Sequence, residues 1–173
     1  MDRRFTTTKG IKDLLRREDG GALAELAILV PFLAVMLAGV CEFGRYFQNY
    51  NTVAKATRTA SRYLSNHPLT AQEIGRAQSL AVCGKLTCGP SDKPLVKGLS
   101  AANICVESTG SPKVLNVTVR IPRATTPCSP TAGAGGASPL IYAPIFNIGA
   151  ILGTGLSLNL PIAPSTTMYY QIN

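Results

Sequence analysis

The chain has 173 residues, with 17 basic and nine acidic side chains, one histidine and a net charge of +8. That length fits one domain plus an anchor. A single histidine, no paired acids outside the apolar N-terminal region and no nucleophile elbow leave nothing for hydrolysis or group transfer, so the chain reads as non-catalytic, with no cofactor.

Six basic side chains, Arg3, Arg4, Lys9, Lys12, Arg16 and Arg17, precede any hydrophobic segment, which by the positive-inside rule keeps this end in the cytoplasm. Gly20-Gly21 then opens an apolar run that continues to Cys41, long enough to enter a bilayer. After Cys41 the chain reads Glu42-Phe43-Gly44-Arg45, with no Ala-x-Ala-like site, so the run reads as a retained anchor and not a discarded signal. Residues 21–44 are the expected transmembrane helix and 1–20 a cytoplasmic leader. Glu25 sits near the start of the run, where a carboxylate costs up to about 2.5–3.5 kcal/mol at a helix centre and less toward its end. It either snorkels to the headgroups or has a functional role, and the second reading is favoured. Pro31 removes a backbone donor and leaves the carbonyl of Ala27 without its helical partner, which predicts a kink or loosened turn.

Beyond the span, Phe43, Tyr46, Phe47, Tyr50, Val53, Ala56, Ala60, Tyr63 and Leu64 recur at three- and four-residue steps, one stripe on a helix that continues over 45–66. From Gly21 to about Asn66 such a helix is about 70 Å long, more than twice a bilayer core. Either neighbouring subunits cover the stripe, with Ala54, Ala56, Ala60 and Ser61 allowing close approach, or it is the core face of the domain that follows. Lys55, Arg58 and Arg62 form a solvated face.

Residues 67–173 are expected to form a small extracytoplasmic domain. Thr70-Ala71-Gln72-Glu73 is a capping box that starts a helix from Ala71 to about Val82. Lys113 to Ile121 alternates, with Leu115, Val117, Val119 and Ile121 on one face, and Asn103 to Glu107, Leu156 to Leu160 and Thr166 to Ile172 are shorter strand candidates. The fold class is therefore α+β, an antiparallel sheet packed on the outer half of the long helix.

Cys41 lies within the span and reads as a small packing residue, whereas Cys83, Cys88, Cys105 and Cys128 form an even set that fits an oxidising compartment. Of three connectivities, Cys83 with Cys88 and Cys105 with Cys128 is favoured; zinc is disfavoured because the Cys-x4-Cys spacing is loose and His67 is distant. No charged residue occurs from Ala124 to Asn173. Ile141 to Leu160 could pass for a second span, but Pro144, Asn147, Thr154, Gly155, Ser157 and Asn159 interrupt it, and a charge-free surface also suits burial between subunits. Without the first 20 residues, 11 basic and five acidic side chains remain, net +6; they are scattered, which argues against nucleic-acid binding.

Gly20, a Glu five positions on, an early Pro31 and then Glu42-Phe43-Gly44-Arg45 together resemble the TadE-like pilus-assembly proteins of bacterial tight-adherence (Flp, type IVc) pili, over about Asp19 to Tyr63. The resemblance implies a minor pilin or pseudopilin in the inner membrane, cut by a prepilin peptidase between Gly20 and Gly21, its C-terminal domain periplasmic or carried into an extracellular pilus. The partners implied are that peptidase, major and minor pilins and the inner-membrane assembly platform, with self-association and adhesion as further roles. Glu25 would become the fifth mature residue, about 6 Å along the helix from the new amine, where it can pair with its own amine or with that of an adjacent subunit, and the resemblance favours the neighbour. Pro31 would let the subunit shift from membrane to filament packing. Two other readings are an unprocessed membrane-anchored periplasmic scaffold that binds secretion-machine components, and a small cell-envelope adhesin.

Overall fold

The computed structural model describes residues 18–110, 113–125, 128, 138–146, 153 and 159–172. In chain order the elements are α1 (Glu18–Ser65), α2 (Ala71–Cys83), a 3-10 turn (Ala101–Asn103), β1 (Cys105–Thr109), β2 (Asn116–Arg120) and β3 (Ser165–Tyr169). The strands form one antiparallel sheet in the order β1-β2-β3, so the fold is α+β with a long apolar N-terminal helix, as expected. Two compact units divide the chain, Met1–Cys41 and Glu42–Asn173.

In the first unit α1 runs through Pro31 without a break in its helical assignment. Leu23, Leu26, Ile28, Phe32, Leu33, Met36 and Leu37 are each more than half exposed. Removing one such side chain from water is worth about 1.5–3 kcal/mol, so lipid or another chain is the medium this surface is built for. By length and composition the helix can cross a membrane.

The second unit is built on one face of α1. Val53, Ala60 and Leu64 are fully buried there, against Ile74, Ala77 and Ala81 of α2 and the inward residues Val106, Val117 and Val119 of the sheet. Small polar side chains on the same face let β3 come close: Ser61 Oγ donates to the Thr166 carbonyl at 3.0 Å, Thr57 Oγ1 lies 3.3 Å from Thr166 Oγ1, and the Gln171 amide donates to the Ser65 carbonyl at 3.0 Å. Ala56, Ala60 and Ser61 are thus covered by their own domain, which settles the two readings of the stripe from Val53 onward in favour of a core face. Lys55, Arg58 and Arg62 are exposed, as expected.

α2 starts where the capping residue places it, but only half of the box forms. Thr70 Oγ1 accepts from the Glu73 amide at 3.3 Å, whereas the Glu73 carboxylate takes the Tyr63 hydroxyl and, at 2.7 Å, Arg76 Nη1. A charged donor and a half-buried phenol hold that carboxylate more strongly than the reciprocal amide would. Gly84 ends the helix in the left-handed region at φ 75°, its amide bonded to the Leu80 carbonyl at 3.0 Å.

β2 is shorter than the Lys113–Ile121 alternation predicts. Val117, Val119 and Ile121 are buried, but Leu115 is 50% exposed, because it precedes the paired segment and closes the β1–β2 connection, its amide on the Thr109 carbonyl. Gly110 in that connection has φ 124°, and a Cβ there would meet Leu115 N at 2.6 Å and the Lys113 carbonyl closer still. The predicted Asn103–Glu107 strand begins two residues later, since Ala101–Asn103 forms the 3-10 turn with Asn103 Oδ1 capping the Ser100 amide at 2.8 Å. Leu156 to Leu158 lies outside the described residues, and Asn159 and Leu160 are not in a strand.

The Ile141–Leu160 stretch is not one spanning helix. The Tyr142 amide donates to the Leu160 carbonyl at 2.9 Å and the Ile162 amide to the Leu140 carbonyl at 2.8 Å, which brings together ends that a 20-residue helix would hold about 30 Å apart. Cys83 is bonded to Cys88 and Cys105 to Cys128, with Cα separations of 6.2 and 5.9 Å, the favoured pairing, and Cys41 is free and exposed.

Replacing Leu64 by Ala should cost about 2–5 kcal/mol, the range for a fully buried leucine, and Leu115→Ala less than about 1.5 kcal/mol. Thermal unfolding of the full chain in detergent, followed by circular dichroism, checks the ranking. Equal losses would mean that the domain core is not centred on α1.

Candidate functional site: a buried carboxylate where the apolar run ends

The residues expected to carry cleavage and assembly, Gly20, Gly21, Glu25 and Pro31, all lie on α1 in the first unit. Gly21 has open space where a side chain would stand, and Glu25 is exposed, with no hydrogen bond or ion pair to any described residue of the chain.

The second unit holds a polar site that the sequence does not announce. Glu42, the residue after Cys41, is 1% exposed. Its Oε1 accepts the Tyr142 hydroxyl at 2.7 Å and the Ile145 amide at 2.8 Å, and Arg45 Nη1 lies 3.5 Å from Oε2, which has no hydrogen bond among the described residues. Tyr142 is fixed in turn by an edge-on contact with Tyr46, ring centroids 5.5 Å apart, and the Tyr46 hydroxyl donates to the Pro161 carbonyl at 3.2 Å. One turn of α1 therefore grips the 140–146 and 160–162 segments through two tyrosines and one acid. Breaking such a buried ionic site from one side leaves a charge unsatisfied, which costs more than the net gain from forming it.

Three further polar clusters stabilise the domain. At the end of α1 the Tyr63 and His67 rings stack at 3.9 Å, and the bond to the Glu73 carboxylate raises the Tyr63 pKa above the ordinary tyrosine value, with burial adding to it. Across β1 and β2, Arg120 Nε and Nη2 grip the Glu107 carboxylate at 3.0 and 2.6 Å, which raises the Arg120 pKa. Below the Cys83–Cys88 loop, Asp92 accepts from Lys85 Nζ at 2.5 Å and the Gly89 amide at 2.8 Å, and both hold its pKa down. The first two tie one element to another and the third closes the loop after α2, and among the described residues no three His, Cys, Asp or Glu side chains are grouped to hold a metal ion.

Glu42 was visible in the sequence as part of Glu42-Phe43-Gly44-Arg45 but not as a buried ligand for the C-terminal half. The available clue is its step of four to Tyr46, which places an acid at the head of the buried ladder. Tyr142 had no such clue, since it stands 100 residues away in the charge-free tail.

An apolar helix long enough to cross a membrane, followed by a disulfide-linked α+β domain, points to a protein anchored in a membrane by its N-terminal helix. The family model described as TadE-like protein matches residues 20–62, about a quarter of the chain, from Gly20 past Glu25, Pro31, Glu42 and Arg45. This matches the TadE-like resemblance and points to a protein associated with the Tad pilus machinery and the membrane. No curated protein and no solved structure matches the chain.

Tyr142→Phe keeps the ring contact and removes the hydroxyl donor to Glu42, so it should destabilise the chain by about 1–3 kcal/mol. In a Glu42→Gln background the same substitution should cost less, because the remaining acceptor is neutral. A double-mutant cycle read by thermal unfolding measures the difference, and a coupling below about 0.5 kcal/mol would show that the two groups act independently.

Proposed function

We propose that this chain is a minor pilin or pseudopilin of a Tad (Flp, type IVc) pilus system, cut by a prepilin peptidase between Gly20 and Gly21 and acting in pilus assembly and surface adhesion. The observation that carries the reading is that the TadE-like match begins at Gly20 and runs through the helix whose large apolar side chains are exposed. In this reading the inner membrane stores the helix, with the leader in the cytoplasm and the disulfide-linked domain in the periplasm. Extraction exchanges lipid around Leu23 to Leu37 for the helices of neighbouring pilins on the inner-membrane assembly platform. Glu25 is the group that sets the register. Its carboxylate pairs with the amine that cleavage creates on Gly21 of an adjacent subunit, and low dielectric strengthens that pairing relative to mismatched alternatives.

The N-terminal sequence of the mature protein tests the cleavage step. It should begin at Gly21 only in cells with an active prepilin peptidase; an intact Met1 leader in such cells would turn the reading to an unprocessed membrane-anchored scaffold.

Glu25→Ala should leave membrane insertion intact and lower recovery in sheared pilus fractions by about tenfold, the effect of losing about 1.4 kcal/mol of pairing. Undiminished recovery would remove Glu25 from assembly.

A further inference from the structure

We infer that the loop Tyr142–Phe146 is a second membrane-contact element, held by Glu42 at the bilayer interface with Ile145 and Phe146 in lipid. The inference rests on reading Gly21–Cys41 as a membrane span. Glu42 follows that run directly in the chain, so whatever its carboxylate holds is held where the run ends. It holds the Ile145 amide at 2.8 Å.

Three observations favour lipid as the occupant. Ile145 is 66% and Phe146 46% exposed, in a loop with no charged residue, and Phe43 and Phe47 on the neighbouring turn of α1 are also more than half exposed. From Glu42 to Phe47 the helix rises about 7.5 Å, close to the depth of the polar layer on one side of a bilayer. Exposed apolar groups therefore occur on both the helix and the loop at the level where a bilayer boundary would lie.

Part of the loop's main chain is also satisfied without water. The Ile145 amide is taken by Glu42, the Tyr142 amide by the Leu160 carbonyl at 2.9 Å, and Pro144 has no amide to satisfy. An amide without a partner is costly away from water, whereas a water-facing loop needs no buried acid to hold it. Charge complementarity points the same way. Arg45 and Lys97 line a cavity of about 240 Å³ against Ile141, Tyr142 and Ala143, two cations beside the loop that could meet lipid phosphates.

The chain contains no tryptophan, so a single introduced one reports alone. Full-length Phe146→Trp, Phe32→Trp and Tyr169→Trp variants would be placed in phosphatidylethanolamine–phosphatidylglycerol vesicles whose acyl chains carry bromine near the headgroup or near the bilayer centre. Phe146→Trp should be quenched about twofold by the shallow bromine, as for side chains seated 5–10 Å into the headgroup–acyl boundary. Phe32→Trp should respond to the deep bromine, and Tyr169→Trp, on the exposed sheet edge, to neither. Quenched Phe32→Trp with unquenched Phe146→Trp would overturn the loop assignment and leave the span intact. Unquenched Phe32→Trp would overturn the span, and this inference with it. Blue-shifted Phe146→Trp emission without quenching would mean that a protein neighbour covers the loop, which also overturns it. Ile145→Trp repeats the measurement from the adjacent position if Phe146→Trp does not fold.

Discussion

The fold depends on a change in what α1 must hide. Up to Cys41 its apolar side chains stand on all sides and are exposed, a surface that lipid or other helices can solvate and water cannot. From Glu42 onward a single face is buried, and the ladder Glu42, Tyr46, Val53, Ala60, Leu64 meets the domain. The sheet, α2 and both disulfides serve that one face. Without a helix to cover them, the inward residues of β2, Val117 and Val119, would leave a three-stranded sheet exposed on both sides, and such a sheet has little stability of its own.

Much of this was legible because it follows local rules. A long uninterrupted helix, a Thr-x-x-Glu start for α2 and an alternating Val-Thr-Val strand each need only a few neighbouring residues to be recognised. The cysteine pairing was also within reach: Cys83 and Cys88 are five residues apart across a helix end, and that left Cys105 with Cys128. Where reading failed, the cause was a partner distant in sequence. Glu73 fits a capping box, yet its carboxylate serves Tyr63 from the preceding helix. β3, expected over Thr166 to Ile172, lies at Ser165–Tyr169, and its Ser165, Thr166 and Thr167 are small hydroxyl residues that allow close approach to Thr57 and Ser61.

The stripe on α1 shows the limit of hydropathy most clearly. Three- and four-residue steps beginning at Phe43 select Phe43 and Phe47, both exposed, whereas the same steps beginning at Glu42 select Tyr46 and then Val53, which the domain covers. A period finds a face but not its phase when apolar residues occupy adjacent flanks. Here an acid marks the buried flank and two phenylalanines the exposed one, the reverse of what transfer energies would assign. The tyrosine and the amide supplied from the far end of the chain, with Arg45 beside the carboxylate, offset the cost of that arrangement.

The same logic accounts for part of the charge-free tail. Leu140, Tyr142, Ile162 and Tyr170 are core residues, so these segments need to be apolar whatever lies outside them. Ile145 and Phe146 are different, since they are apolar and outward. A fold that buries a carboxylate to hold the Ile145 amide commits a costly group to a short loop, and the cost has a physical rationale where that loop meets a medium poor in water. The acid at the end of the apolar run then does for the domain's edge what backbone pairing does within a helix, keeping polar groups satisfied where the solvent no longer does so.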